Sequence, residues 1–353
     1  MGKHPSITPG PIALFGSGES APGGRKIFDF LFQLSPPSPR VKILETPAGF
    51  ELNSDQVASN IGDFINHHLQ NYHPETEVIP ARKKGTKHSP DTLEIVQPIL
   101  EADLIFMGPG SPSYAVRQLR DSLAWEYVLA RHRLGAGLAF SSAATVAISA
   151  AALPVYEIYK VGEDLHWKPG LDFFSPYNLP LVFIPHWNNQ DGGDGLDTSR
   201  CYLGQSRFAE LAKLLPEDQI IVGIDENTGL VIDFQAGSLH GVGQGNVTTI
   251  EKGSQNVIPA GKKVDLTDLG SFELCDPLAG IHASSWEAAL LAADQITEPV
   301  LPPPEVIGLA EERQRARTDK DWEKADQLRR ELEARGWEVQ DNPDGYQLEG
   351  KTK

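Results

Sequence analysis

At 353 residues, 40% hydrophobic and 22% charged, the chain can hold one large domain plus a small one, and its composition is that of an ordinary globular protein. No apolar run reaches the ~20 residues of a membrane helix, and a net charge of −17 disfavours generic nucleic-acid binding, which depends on cations neutralising phosphates. Cys201 and Cys275 are too few for a disulfide framework and lack metal-type spacing, so a reduced, cytoplasmic protein without a membrane partner is expected.

The opening MGKHPSITPGP has no apolar core of the kind a secretory signal needs. Met1-Gly2 with Ser6 matches an acylation motif, but these residues recur by chance and lipid anchoring usually needs a second signal. From Pro11 the chain alternates apolar runs with helical patterns. PIALFGSGES ends in Gly16-Ser17-Gly18, RVKILETPAGF ends at Thr46-Pro47, and TEVIPAR follows the helix-like SDQVASNIGDFINHHLQNY. ADLIFMGPGSPSYAVRQL and GAGLAFSSAATVAIS each read as a strand, a sharp corner and a helix start. Such alternation predicts a doubly wound, mostly parallel α/β sheet, whose ligand crevice lies beyond the carboxyl ends of its strands. Gly16–Glu19, Pro47–Phe50, Gly108–Ser113 and Ser141–Ala144 all fall at such ends and are expected to converge.

After Pro185 short strands with Gly and Asn turns predict a β-meander at the sheet's far edge. TEPVLPPPEV is a proline-rich linker. Beyond it lie two amphipathic helical stretches, with Ala325, Leu328 and Leu332 on one stripe and Gly336 as a C-cap, then a hairpin around Asn342-Pro343-Asp344-Gly345. The expected division is 1–296, a linker at 297–304, and a helical module at 305–353.

That module resembles the C-terminal module of cysteinyl-tRNA synthetases through EERQRAR, the aromatic of DKDW, KADQLRREL and the closing GWEVQDNPDG. The chain has no HIGH-like or KMSKS-like sequence and no zinc-binding cysteine set, so an active synthetase is not implied. Residues 11–270 resemble the cyanophycinase and aspartyl dipeptidase family of serine peptidases, which are flavodoxin-like domains related to class I glutamine amidotransferases. FMGPGSPSYAVRQL looks like that family's glycine turn, AFSSAATVAI like its G-S-S-A-G-A-M elbow, and VGIDENTGLVI like its GIDE strand.

The elbow match implies Ser142 as nucleophile. Local sterics favour Ser141, whose flanking positions are Ala139 and Ala143, whereas Ser142 has Phe140 and Ala144 where an elbow prefers small residues. Simple capping of the following helix, AATVAISAAAL, is the third reading of the two serines. The resemblance implies His186, after an apolar strand, as base and Glu226 as the acid that orients it, with Asp225 one residue away. It likewise implies an oxyanion hole from the N–H groups of Gly110 and Ala143, Pro109 having none. Asn188, Asn189 and Arg200 are candidate ligand-binding groups, and LDTSRCYLGQSRFAEL resembles that family's arginine-containing helix after the histidine, with Cys201 inside it. The polar loop carrying Glu157, Lys160, Glu163, Asp164, His166 and Trp167 suits a charged ligand better than a metal, because its spacing matches no metal motif.

The expectation is therefore a hydrolase of peptidase type acting on a small peptide or amide, with neither cofactor nor metal. The alternative is a silent peptidase fold that binds a ligand and is linked to tRNA or cysteine metabolism through its tail. The tail is expected to make at most a weak tRNA contact, or a protein contact.

Overall fold

The computed structural model describes residues 8–295, 303–342 and 345–350. The chain forms two compact units, Met1–Ile296 and Thr297–Lys353. The first unit runs β1 (Ile12–Phe15), α1 (Pro22–Gln33), β2 (Arg40–Leu44), α2 (Ser54–His68), β3 (Glu75–Ile79), α3 (Leu93–Val96), β4 (Leu104–Met107), α4 (Pro112–Leu119), α5 (Leu123–Arg133), β5 (Gly137–Ser141) and α6 (Ala143–Ala147). It continues through β6 (Ala151–Ala152), β7 (Lys168–Pro169), β8 (Leu181–Ile184), α7 (Gln205–Ala212), β9 (Ile220–Ile224), β10 (Thr228–Asp233), β11 (Ser238–Gly243), β12 (Asn246–Glu251), β13 (Ser254–Pro259), β14 (Lys263–Asp265) and α8 (Ala283–Gln295).

The main sheet has eight strands in the order β14-β11-β10-β1-β5-β4-β2-β3, and β1 to β5 run parallel. Residues of β1, β4 and β5 are buried throughout, as continuous apolar runs covered on both faces should be. This is the doubly wound α/β architecture that the strand–helix alternation predicts. The later strands do not form one meander. β10 and β11 extend the main sheet antiparallel from β1, whereas β12 and β13 join β9 and β8 in a second sheet, order β13-β12-β9-β8. Apolar alternation marks these segments as strands but cannot choose their partners, because either sheet buries the same side chains.

The helix after β5 is also shorter than its sequence suggests. It stops at Ala147, and the chain then binds the second sheet: Ala150 donates to the Leu181 carbonyl and the Phe183 N–H donates to Ser149 Oγ. These tertiary bonds outweigh the helix propensity of the alanines.

In the second unit, α9 (Pro304–Thr318) and α10 (Trp322–Ala334) precede a hairpin of β15 (Trp337–Asn342) and β16 (Gly345–Gly350). Ala325, Leu328 and Leu332 are buried, the Asp321 side chain caps α10 by accepting from the Lys324 N–H, and Gly336 takes φ 84°. Arg313 lies in contact with Asp341 through two hydrogen bonds of 2.7 and 2.9 Å, which ties α9 to the hairpin. The expected linker core, 297–302, and the turn residues Pro343 and Asp344 lie outside the described residues.

Candidate active site

The carboxyl ends of β1, β2, β4, β5, β8 and β9 meet, as the strand-end residues suggest. The His186 N–H donates to the Gly16 carbonyl at 3.0 Å, and the Trp187 N–H to the Ile224 carbonyl at 3.0 Å. The Ser111 N–H donates to the Pro47 carbonyl at 2.9 Å. Gly110, at φ 145°, packs so closely there that a Cβ would lie 2.0 Å from the Pro47 oxygen. Only glycine fits that approach.

Ser142 sits between β5 and α6 with φ 50° and ψ −108°. That conformation costs a non-glycine residue on the order of 1–3 kcal/mol and lifts its side chain out of the turn. Its Oγ lies 3.1 Å from His186 Nε2, and His186 Nδ1 lies 2.9 Å from Glu226 Oε1. The two side chains thus bracket the imidazole, one at each ring nitrogen. Neither serine side chain caps α6. Ser141 is fully buried and donates its hydroxyl to Glu19 Oε2 at 2.7 Å. Phe140, the bulky neighbour, does not crowd the elbow, since its ring is buried against Phe173 in the core.

The hydrogen bond with His186, reinforced by Asn189 against partial burial, holds the Glu226 carboxyl below the usual carboxylate range. Asn189 Nδ2 donates to Glu226 Oε1 at 2.9 Å, and Asn188 Oδ1 accepts from the Glu226 N–H at 2.8 Å. Both asparagines, read from sequence as ligand-binding groups, are therefore engaged with Glu226 instead. Arg200 differs as well: it stacks 3.9 Å from the Trp187 ring centre and donates to the Trp187 carbonyl. None of the three lines the pocket at Ser142. Asp225 turns away to accept from the Asn246 N–H, which fixes the start of β12.

That pocket has a volume of about 390 Å³. Ser142, His186, Gly110 and Ala143 line it, so the two residues of the expected oxyanion hole face the same space as the hydroxyl. The Ala143 N–H belongs to the first turn of α6, where backbone donors have no partner within the helix. Tyr156, Tyr159, Lys160 and Tyr202 also belong to the wall. Of these only Lys160 was legible as a candidate, from the polar loop. Among the described residues no group of three His, Cys, Asp or Glu side chains is placed to hold a metal ion.

Tyr202 reaches the pocket through a turn that the sequence does not announce. Arg200, Cys201 and Tyr202 all have positive φ, at 58°, 57° and 67°, and the helix begins only at Gln205. Three successive left-handed residues are costly, and tertiary bonds hold them: Arg200 N–H to the Trp187 carbonyl and Cys201 N–H to the His186 carbonyl. The Tyr202 ring then lies 5.7 Å from the imidazole, and its hydroxyl donates to Asp191. Burial, with a contribution from the Glu226 charge, pushes the Cys201 thiol up to about 12, so it stays protonated near neutral pH.

Comparison with known proteins separates the two units. Residues 303–347 match the family model described as "Cysteinyl-tRNA ligase anticodon binding domain". Over 48 residues, 14% of this chain, the sequence is 50% identical to cysteine–tRNA ligase 1 of Burkholderia lata, and the match spans 10% of that protein's length. The larger unit has its likeness among solved structures. A peptidase from an acI-B1 actinobacterium superposes with a TM-score of 0.59 at 22% identity, covering 74% of this chain and 98% of that one. At that identity the likeness is one of fold. The chain joins an α/β fold similar to that of a solved peptidase to a tail similar to part of a tRNA ligase. No helix among the described residues is long and apolar enough to cross a membrane.

Proposed function

We propose that this protein is a serine hydrolase of peptidase type that cleaves a small peptide or amide. The observation that carries the reading is the unbroken contact chain from Ser142 Oγ through His186 to Glu226, opening on one pocket. In this reading His186 Nε2 takes the hydroxyl proton as Ser142 Oγ attacks the carbonyl carbon. Glu226 holds the Nδ1–H tautomer and stabilises the imidazolium. The N–H groups of Gly110 and Ala143 receive the developing oxyanion. The imidazolium proton passes to the leaving nitrogen as the C–N bond breaks. Water then attacks the acyl-serine, gives its proton to His186, and releases the acid while the proton returns to Ser142.

A second reading keeps the fold as a ligand-binding protein without catalysis. The match of residues 303–347 to an anticodon-binding domain favours it, through a contact of the tail with tRNA or a protein. The cations of the tail are largely internally paired, as in Arg313 and Arg317 with Asp341, Arg329 with Glu333, and Lys324 with Glu312. Any tRNA contact should therefore be weak and salt-sensitive. A fluorophosphonate probe separates the two readings. Labelling at Ser142 that depends on His186 supports hydrolysis, and a folded chain that takes no label supports the binding protein.

A further inference from the structure

Arg133, the last residue of α5, is a buried cation, 2% exposed. Its Nε donates to Cys275 Sγ at 2.9 Å, and its Nη1 donates to the Tyr177 hydroxyl at 3.2 Å. The guanidinium carbon lies 4.8 Å from the Tyr177 ring centre, so the group is held on that face too. The third nitrogen, Nη2, is buried and has no hydrogen-bond partner among the described residues. A buried donor left alone is costly, and one that belongs to a cation more so.

Nε and Nη2 form one edge of the guanidinium fork and suit a pair of acceptors. Arg40 uses that edge in this way, its Nε and Nη2 holding the two oxygens of Asp103, each at 2.9 Å. At Arg133 the same edge meets a single sulfur atom, which engages one of its two donors. An oxygen bonded to Sγ would engage the other. Cys275 is a free, partly exposed cysteine in the segment between β14 and α8. The Glu273 N–H donates to the Tyr177 carbonyl at 3.0 Å, which ties that segment to the ring beneath Arg133. Partial exposure beside a cation is the setting in which cysteines react. Cys201 has the opposite setting, since it is buried and burial pushes its thiol up.

We propose that Cys275 is an oxidation site for hydroperoxides, whose sulfenic acid is held on the Nε–Nη2 edge of Arg133. The sulfur attacks one peroxide oxygen, so the S–O bond forms as the O–O bond breaks, and the two electrons lost by sulfur reduce the peroxide. The thiol proton goes to the departing oxygen, which leaves as water from hydrogen peroxide or as an alcohol from an alkyl hydroperoxide. The test uses the full chain, hydrogen peroxide as oxidant and dimedone as a trap for sulfenic acid, with peptide mass spectrometry reading each cysteine. Cys275 should take dimedone about tenfold faster in the folded chain than in the chain unfolded in urea, whereas Cys201 should take it only when unfolded. Arg133→Met should bring the folded rate at Cys275 down to the unfolded one. A folded Cys275 that reacts no faster than the unfolded chain overturns the proposal, as does a folded Arg133→Met chain that reacts like wild type. Should Arg133→Met fail to fold, the comparison of folded and unfolded wild type decides alone.

Discussion

Ser141 and Ser142 are adjacent in sequence, yet their hydroxyls serve different partners. Ser141 Oγ donates to Glu19, in the loop after β1, while Ser142 Oγ meets the imidazole of His186. The elbow conformation at Ser142 makes the difference, since it breaks the strand alternation that would otherwise set the side-chain direction. Ser142→Ala should therefore abolish fluorophosphonate labelling. Ser141→Ala should keep labelling within about tenfold of wild type and cost about 1–3 kcal/mol of stability, because Glu19 loses its buried donor. Label that survives Ser142→Ala and vanishes in Ser141→Ala would falsify the assignment of the nucleophile.

His186→Ala should reduce the labelling rate about 10⁴-fold or more, and Glu226→Gln about 10²- to 10⁴-fold, as expected for a base and the group that orients it. Rapid-quench labelling followed by mass spectrometry reads both. Equal rates in Glu226→Gln and wild type would remove Glu226 from the machinery.

Asn188 and Asn189 hold Glu226 and do not line the pocket, so under the proposed function they would act through Glu226. With any turned-over substrate, Asn189→Ala should lower kcat about tenfold and leave KM near its wild-type value. A raised KM at constant kcat would return Asn189 to the ligand-binding role its polarity first suggests.

The depressed carboxyl of Glu226 also predicts a pH dependence of stability. The folded state binds this proton less readily than the unfolded chain does. Its contribution is therefore fully present above the ordinary glutamate value of about 4.3, and is lost as pH falls through the lower folded value. Urea midpoints of wild type and Glu226→Gln, measured from about pH 7 to about pH 3, should converge toward acid pH. A gap that widens on acidification would contradict the sign of the shift.

The tail is a separate compact unit, and the lining of the Ser142 pocket, from Gly110 to Tyr202, belongs to the first unit. Truncation after Thr297 should leave Ser142 labelling within about twofold, the scatter expected for an uncoupled site. Filter binding at physiological salt should show weak tRNA retention by the intact chain. Tight retention, absent from the truncated chain, would make RNA the partner of the tail.

Local sequence determined a good deal of this molecule. Apolar runs alternating with helical patterns specify β1 to β5 and their helices, since that periodicity depends on near neighbours alone. The corner at Ser141–Ala144, the apolar strand before His186, and the stripe of Ala325, Leu328 and Leu332 were legible for the same reason. Tertiary structure decided what depends on distant contacts. Glu19 lies 122 residues from the serine it binds, and Glu226 lies 40 residues from the imidazole it hydrogen-bonds. The left-handed turn at Arg200–Tyr202 exists only because carbonyls of Trp187 and His186 accept its N–H groups. The strands after Pro185 divide between two sheets because side-chain alternation fixes which face is buried and leaves the backbone partner open. Direction and partnership come from folding, because the free energy that selects them resides in bonds between segments that no local pattern links.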